Sequence, residues 1–510
     1  MPIYCSIVCR SLLFPRMFHE FDVDGNTVHW SPYSHKVESG VLYTDNGFWD
    51  THRTCYPLLS LIVPSRVAEM VAGFVNAARE GGWYPKWCSP GYRACMIGTH
   101  LDNVISDAVV KGLDRLPTDG APAFDVAEAY TYLRKDAFEH RGDPAGCYGR
   151  LGLADFDSLG FVPTDKVEHA AARTLDFAYN DWGVLQVARR LGADSPAVLG
   201  GADELATLER RAQQFRNTFD PSIRMARGRN ADGSWGAHRE FAWGGAHIEG
   251  GVWQCTWGVP HDPVGLAEVM GGPEALGAAL DKMLATPPTF ETGSYGYTIH
   301  EMAEMAALKL GQYNHGNQPQ HHCLYLYTTA AGAADKTQKW VRHVCDKHYT
   351  ADADGLPGDE DNGESAPQPR LTQQLSLALA HLTCPPTRSA RLHRAHTLHW
   401  RLAVCAWYVL SAIGLYQVCP GNPIYTIGSP SFRSAALHTD GKPSATIEAP
   451  ENSADNVYVR FASSSLDGAP LDRSYVTYGE LVSGCALRLS MASEPDTRGA
   501  EDVRHWAPTE

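Results

Sequence analysis

Residues 166–191 read KVEHAAARTLDFAYNDWGVLQVARRL, a run whose apolar residues return with the 3.6-residue spacing of an α-helix. The same spacing recurs at Ser65–Arg79, Asp125–Arg134, Ala202–Phe215, Pro273–Leu284, Thr298–Leu310 and Lys336–Tyr349. Between these segments lie loops rich in Gly, Pro and Trp: TDNGFWDTHR (44–53), EGGWYPKWCSPGYR (80–93), HIEGGVWQCTWGVPHD (247–262), GQYNHGNQPQHH (311–322) and ADADGLPGDEDNGE (351–364). Loops longer than about 12 residues in a compact chain are usually functional. Helices alternating with such loops predict a mainly α fold, a barrel of paired helices whose loops gather at one mouth. From about Ile424 the texture changes to short β-like runs, ATIEAP, NVYVRFASSS and RSYVTYGEL, separated by turn residues. The expected organisation is therefore a helical barrel over residues 1–423 and a β-rich region over 424–510 packed on it.

One stretch departs from this texture. Ser365–Cys405 holds five Arg and four His but no Asp, Glu, Lys or Gly. It reads as an insertion of about 40 residues interrupting the barrel, with the composition of translated non-coding sequence.

Bulk properties narrow the function classes. The net charge of -15 argues against nucleic acid as a partner, because phosphate binding needs basic patches. No apolar stretch reaches the ~20 residues that span a bilayer. The thirteen cysteines contain no C-x-x-C pair and suggest neither a zinc site nor a disulfide framework. An acidic chain with 13 Trp, 22 Tyr and 16 Phe suits neutral sugars, whose apolar faces stack on aromatic rings.

Two sets of carboxylates stand far apart in sequence. Glu249 lies in HIEGGVWQ, flanked by His247 and Trp253, while Asp359 and Asp361 lie in GLPGDEDNGE. Glycoside hydrolysis needs one protonated carboxyl to donate to the leaving oxygen and one ionised carboxylate on the opposite face. A glutamate among aromatic rings suits the acid, because burial raises its pKa. The acidic Gly-rich loop suits the base. The oxygen-rich runs ADADGLPGDEDNGE and YNHGNQP also suggest a hard cation, although Gly363 breaks the EF-hand pattern, so a calcium site would be assembled from several loops. A zinc reading of His315, His321 and His322 lacks both a thiolate partner and an H-E-x-x-H helix.

The blocks GVLYTDNGFWDTHR, EGGWYPKW, EGGVWQ, HGNQPQHH, GLPGDEDNGE and AWYVLSAIGLY, in this order between Leu12 and Phe432, resemble the signature blocks of glycoside hydrolase family 92. That resemblance implies an (α/α)6 barrel, here without the β-sandwich that precedes it in the family, and a Ca²⁺-dependent, inverting exo-α-mannosidase acting on mannose-containing glycans. It implies Glu249 as general acid and Asp359 with Asp361 as general base. Trp49, Asp50, Arg53, Trp253, His321 and His322 would line the sugar pocket, and Glu304, Asn317 and Gln318 would hold the metal region. His300 and Glu301 match a pair characteristic of the α-1,2-selective branch. The resemblance further implies secretion or entry into the secretory route. The alternative is a carbohydrate-binding homologue, or a truncated product, that lacks turnover.

Overall fold

The computed structural model describes residues 12–140, 143, 145–350, 355–358 and 403–495. Asp359, Asp361 and residues 365–402 of the anomalous stretch lie outside the described residues. The principal helices, in chain order, are α1 (Cys55–Ile62), α2 (Pro64–Gly81), α3 (Leu101–Val110), α4 (Val126–Phe138), α5 (Ala170–Leu191), α6 (Gly201–Ala212), α7 (Pro263–Met270), α8 (Pro273–Ala285), α9 (His300–Leu308), α10 (Ala334–Lys347) and α11 (Ala403–Ala412). Each helix foreseen from 3.6-residue spacing is present within a few residues of its expected span.

The central element is α5. Nearly every residue from Ala170 to Ala188 is buried, because α3, α4 and α6 all pack against it. A helix surrounded in this way can carry apolar residues on every side. Polar residues in it must then find partners inside the protein. Asp181 receives Arg150 Nη1, whose guanidinium also reaches Asp102 at 3.0 Å through Nη2. The helix ends at Gly192, with Arg189 and Arg190 in its last turn, where positive charge complements the C-terminal dipole. At the other kind of terminus, the Asp125 side chain accepts the N–H groups of Ala127 and Glu128 and starts α4.

Strands are short and lie mostly towards the two ends of the described chain, with two-residue pairs such as Phe219–Asp220 and Met225–Ala226 between. Near the start, β1 (Glu20–Phe21), β2 (Thr27–Trp30) and β3 (Val37–Ser39) form an antiparallel sheet that the periodicity did not foresee. After α11 come β4 (Leu415–Tyr416), β5 (Ile424–Ile427), β6 (Ser434–Leu437), β7 (Ala445–Glu448), β8 (Ser465–Leu466), β9 (Ala469–Pro470), β10 (Tyr475–Thr477) and β11 (Ala486–Arg488). They make a three-stranded sheet, β4-β5-β10, and a five-stranded sheet, β6-β7-β11-β8-β9, in which β7 and β11 run parallel.

This strand-rich region is bonded into the helices. Lys111, at the end of α3, is buried and directs its ammonium to Asp107 (2.6 Å), Ser60 (2.8 Å), Gln417 (2.8 Å) and the Tyr425 hydroxyl (3.1 Å). The Tyr425 hydroxyl donates in turn to the Pro57 carbonyl at 2.9 Å. One apolar cluster runs from Leu58 and Leu61 through Trp257, Leu324 and Trp407 to Val476 and Leu487, across both regions. Among the described residues, no helix is long and apolar enough to cross a membrane.

Candidate active site

The segment carrying Glu249 leads into a short helix, Val252–Cys255, and Glu249 itself has a left-handed backbone with φ 46°. A non-glycine residue adopts this conformation only where neighbours hold it there. Its N–H donates to the Tyr295 hydroxyl at 2.8 Å. The side-chain amide of Asn317 donates to its carbonyl at 3.2 Å and approaches carboxylate Oε2 at 3.3 Å.

The loop bearing Tyr295 is laced to the Glu249 segment. Trp243 N–H donates to the Glu291 carbonyl at 3.1 Å, and Gly245 N–H donates to Ser294 Oγ at 2.8 Å. Gly244, at φ 80°, has no room for a side chain, since a Cβ there would lie 2.1 Å from Ser294 Oγ. Burial pushes the Tyr295 hydroxyl above its usual range, and the charges of Glu249 and Glu301 add to that effect. Tyr295 therefore remains a neutral phenol between two acidic residues.

His300 and Glu301 begin α9. The His300 ring lies 3.3 Å from Glu301 Oε1 through Nε2 and 3.2 Å from Glu304 Oε1 through Nδ1. Glu304 Oε2 faces Gly316 and Gly358: a Cβ on either glycine would come within 3.0 Å and 2.9 Å of it, respectively. The residues directly preceding Asp359 thus abut the loop that carries Asn317 and Gln318.

That loop bears the donors a hard cation requires. The side-chain oxygens of Asn317 and Gln318 are buried and accept no hydrogen bond among the described residues. With Glu304 beside Gly316, the donor set is all oxygen, which fits Ca²⁺ chemistry and not that of softer metals. Among the described residues, no three His, Cys, Asp or Glu side chains cluster as a metal site.

A small pocket, partly open to solvent, lies beside these loops. Trp49, Arg53, His100, Asp176, Ile248, Cys255 and Pro319 are among its lining residues. Ile248 and Pro319 are the chain neighbours of Glu249 and Gln318, so acid, amides and pocket share one locality. The Arg53 guanidinium stacks over the Trp49 ring at 5.2 Å, and its Nε donates to the Trp49 carbonyl at 3.0 Å. Asp50 is fully buried on the same turn.

Three residues expected to touch sugar are buried and are not among those lining this pocket. Trp253 is packed in the main apolar cluster, with the Lys282 ammonium 5.2 Å from its ring. His322 pairs with the Trp257 carbonyl at 2.7 Å, and His321 with the His315 carbonyl at 3.3 Å. Burial draws His321 and His322 down to about 3 and about 4, so both are neutral packing groups at physiological pH. His315 lies between the Tyr313 and Tyr349 hydroxyls, at 2.7 and 2.8 Å, which leaves no role for it in a zinc site. Two residues that spacing did not disclose lie in this locality: Tyr295 against the Glu249 backbone and Asp176 in the pocket wall.

A model of the glycosyl hydrolase family 92 catalytic domain matches residues 3–366 and 403–493. The chain belongs to glycosyl hydrolase family 92. It is 37% identical to the family GH92 inverting mannosidase BT2199 from Bacteroides thetaiotaomicron, covering 99% of this chain and 60% of that one with a TM-score of 0.79. The family GH92 α-mannosidase BT3965 from the same organism, in complex with mannoimidazole, is 25% identical, with a TM-score of 0.75 over 98% of this chain and 57% of that one. A protein described as an uncharacterized secreted glycosidase, from Arthroderma benhamiae, is 21% identical over 79% of this chain and 46% of its own length. The chain thus spans about half to three-fifths of the length of these relatives.

Proposed function

We propose that this family 92 chain is the catalytic part of an exo-acting, inverting α-mannosidase that removes terminal α-1,2-linked mannose from N-glycans or mannans, with Ca²⁺ as cofactor. The observation that carries this reading is Glu249, held at its backbone by Tyr295 and Asn317 beside a pocket with Trp49 and Arg53 in its wall. Glu249 protonates the departing glycosidic oxygen. Asp359 or Asp361 activates a water on the opposite face of the sugar, across a carboxyl separation of about 6.5–9.5 Å that leaves room for it. His300 and Glu301 contact the sugar on the leaving side, and the Trp49 ring offers an apolar face to the terminal sugar. The helices pair as an (α/α)6 barrel, with these loops at its mouth. Secretion, as described for the Arthroderma relative, fits a glycan substrate.

Asn317, Gln318 and Glu304 would hold the calcium ion. When bound, it would fix a pair of sugar hydroxyls and polarise the ring towards an oxocarbenium-like state. Asn317 additionally orients Glu249, and Tyr295 keeps that residue's backbone in place.

The test is mannose release from α-1,2-mannobiose, with calcium and with excess chelator, the first-formed anomer being read by NMR. Calcium-dependent release of β-mannose is expected. α-Mannose as first product would overturn inversion. Binding of mannobiose without any release would replace the enzyme by a carbohydrate-binding homologue.

A further inference from the structure

Asp176 projects from α5 into the pocket, where its side chain is 14% exposed. One of its oxygens is committed to the protein. Oδ2 accepts the Trp49 indole N–H at 3.2 Å and lies 3.2 Å from His100 Nε2. His100 is fixed in turn: its ring stacks on His52 at 4.3 Å with planes 6° apart, and its Nδ1 lies 3.2 Å from both Asn103 Oδ1 and Asn180 Nδ2. The carboxylate is therefore held by the Trp49 indole, with the His100 ring packed close beside it. Oδ1, by contrast, takes no hydrogen bond from any described residue.

A carboxylate can accept about four hydrogen bonds, and enclosed polar atoms are nearly always satisfied. An acceptor left open in a solvent-connected recess, beside an indole ring and a guanidinium, is matched by an O–H donor on a neutral ligand. A bound anion would face the charge of Asp176 itself. The surroundings also make the position rigid. Gly98 leaves no space behind it, since a Cβ there would meet Asp176 Oδ2 at 3.0 Å. An acceptor held in a fixed position discriminates between ligands, because a ligand that covers it without the matching hydroxyl leaves it unpaired.

We propose that Asp176 is a specificity-determining residue, whose Oδ1 accepts one ring hydroxyl of the terminal sugar while the Trp49 indole holds Oδ2. This rests on the reading of the pocket as the terminal-sugar site. The same contact keeps the Trp49 indole in place, so one carboxylate couples the stacking face of the pocket to its hydroxyl recognition.

The test is calorimetric binding of methyl α-mannoside and its 2-, 3-, 4- and 6-deoxy analogues to the full chain, to Asp176→Ala and to Asp176→Asn. The expected result is that the wild type binds one deoxy sugar about ten- to a hundred-fold more weakly than the parent, the scale of a hydrogen bond to a charged group, and that both variants lose this discrimination for that hydroxyl alone. A variant that weakens all five sugars by one common factor would overturn the proposal and leave Asp176 a support for Trp49. A wild type that binds every deoxy analogue as tightly as the parent would overturn it without recourse to any variant. A wild type that binds none of the five would overturn the terminal-sugar reading of the pocket and this proposal with it.

Discussion

Asn317 holds Glu249 by two handles: its amide nitrogen lies 3.2 Å from the Glu249 carbonyl and 3.3 Å from carboxylate Oε2. The acid is thereby fixed in position and biased electrostatically by the same group. A donor that binds the carboxylate favours its ionised form and counteracts the effect of burial.

Glu249→Gln removes the transferable proton while keeping the shape. The kcat on α-1,2-mannobiose should fall by roughly 10²–10⁴, the usual scale of general acid catalysis. On 2,4-dinitrophenyl α-mannoside, whose leaving group needs no proton, the fall should be within about ten-fold. Steady-state kinetics on the two substrates provides the check.

Asn317→Ala removes the donor from the carboxylate, so the pKa of the acid should rise. The basic limb of the pH profile of kcat/KM, measured at saturating calcium, should move to higher pH while the maximum rate falls. A limb that stays in place would mean that the contact to Oε2 has no electrostatic weight.

Tyr295→Phe leaves the Glu249 N–H without its acceptor and releases a backbone held at φ 46°. Stability should drop by about 1–3 kcal/mol, the cost of an unsatisfied buried donor. The kcat should fall about ten-fold with KM nearly unchanged, because the acid moves and the sugar pocket does not. Urea unfolding and kinetics on mannobiose read the two effects separately.

Gln318→Leu deletes a buried amide whose oxygen and nitrogen both lack partners among the described residues. Calcium affinity, measured by calorimetry without substrate, should weaken at least about ten-fold. Thermal stability in chelator should hold or rise, since an apolar group replaces unpaired polar atoms. Unchanged calcium binding would exclude this amide from the metal region.

Lys86 supplies a stability test with a defined sign. It is 3% exposed, and burial, reinforced by the charge of Arg173, pulls it from 10.5 down to about 8. Between pH 8 and 10.5 the unfolded chain holds more protons than the folded one at this site, so stability rises with pH in that window. Below pH 8 the full cost of burying the ammonium applies, about 3 kcal/mol. Lys86→Met should abolish the rise, as read by urea unfolding at pH 7 and pH 10. Parallel curves for wild type and variant would remove Lys86 as its source.

The helices were legible because their apolar residues recur at 3.6, and α5 was the plainest case. The loops that carry Trp49, Arg53, Glu249, Asn317 and Gln318 were legible because they are long and rich in Gly, Trp and carboxylates. Trp253 was not, since nothing in EGGVWQ tells whether a ring one turn after the acid faces sugar or core. The short helix Val252–Cys255 decides that by turning it into the apolar cluster. Asp176 was hidden for the opposite reason. Its helix is buried all round, so periodicity distinguishes no face, and its meeting with Trp49 joins residues 127 positions apart. Such contacts depend on tertiary geometry, which no local pattern records.

The ammonium of Lys111 ties Ser60, Asp107, Gln417 and Tyr425 into one knot. Two of these partners come from the helical region, one precedes the expected seam at 423/424 and one follows it. A cut at that seam would leave this cation Asp107, Ser60 and Gln417 but take away the Tyr425 hydroxyl and the β5 strand that carries it. The strand-rich tail is thus less an appendage than a cover, supplying the last partner to a charge buried by the helices.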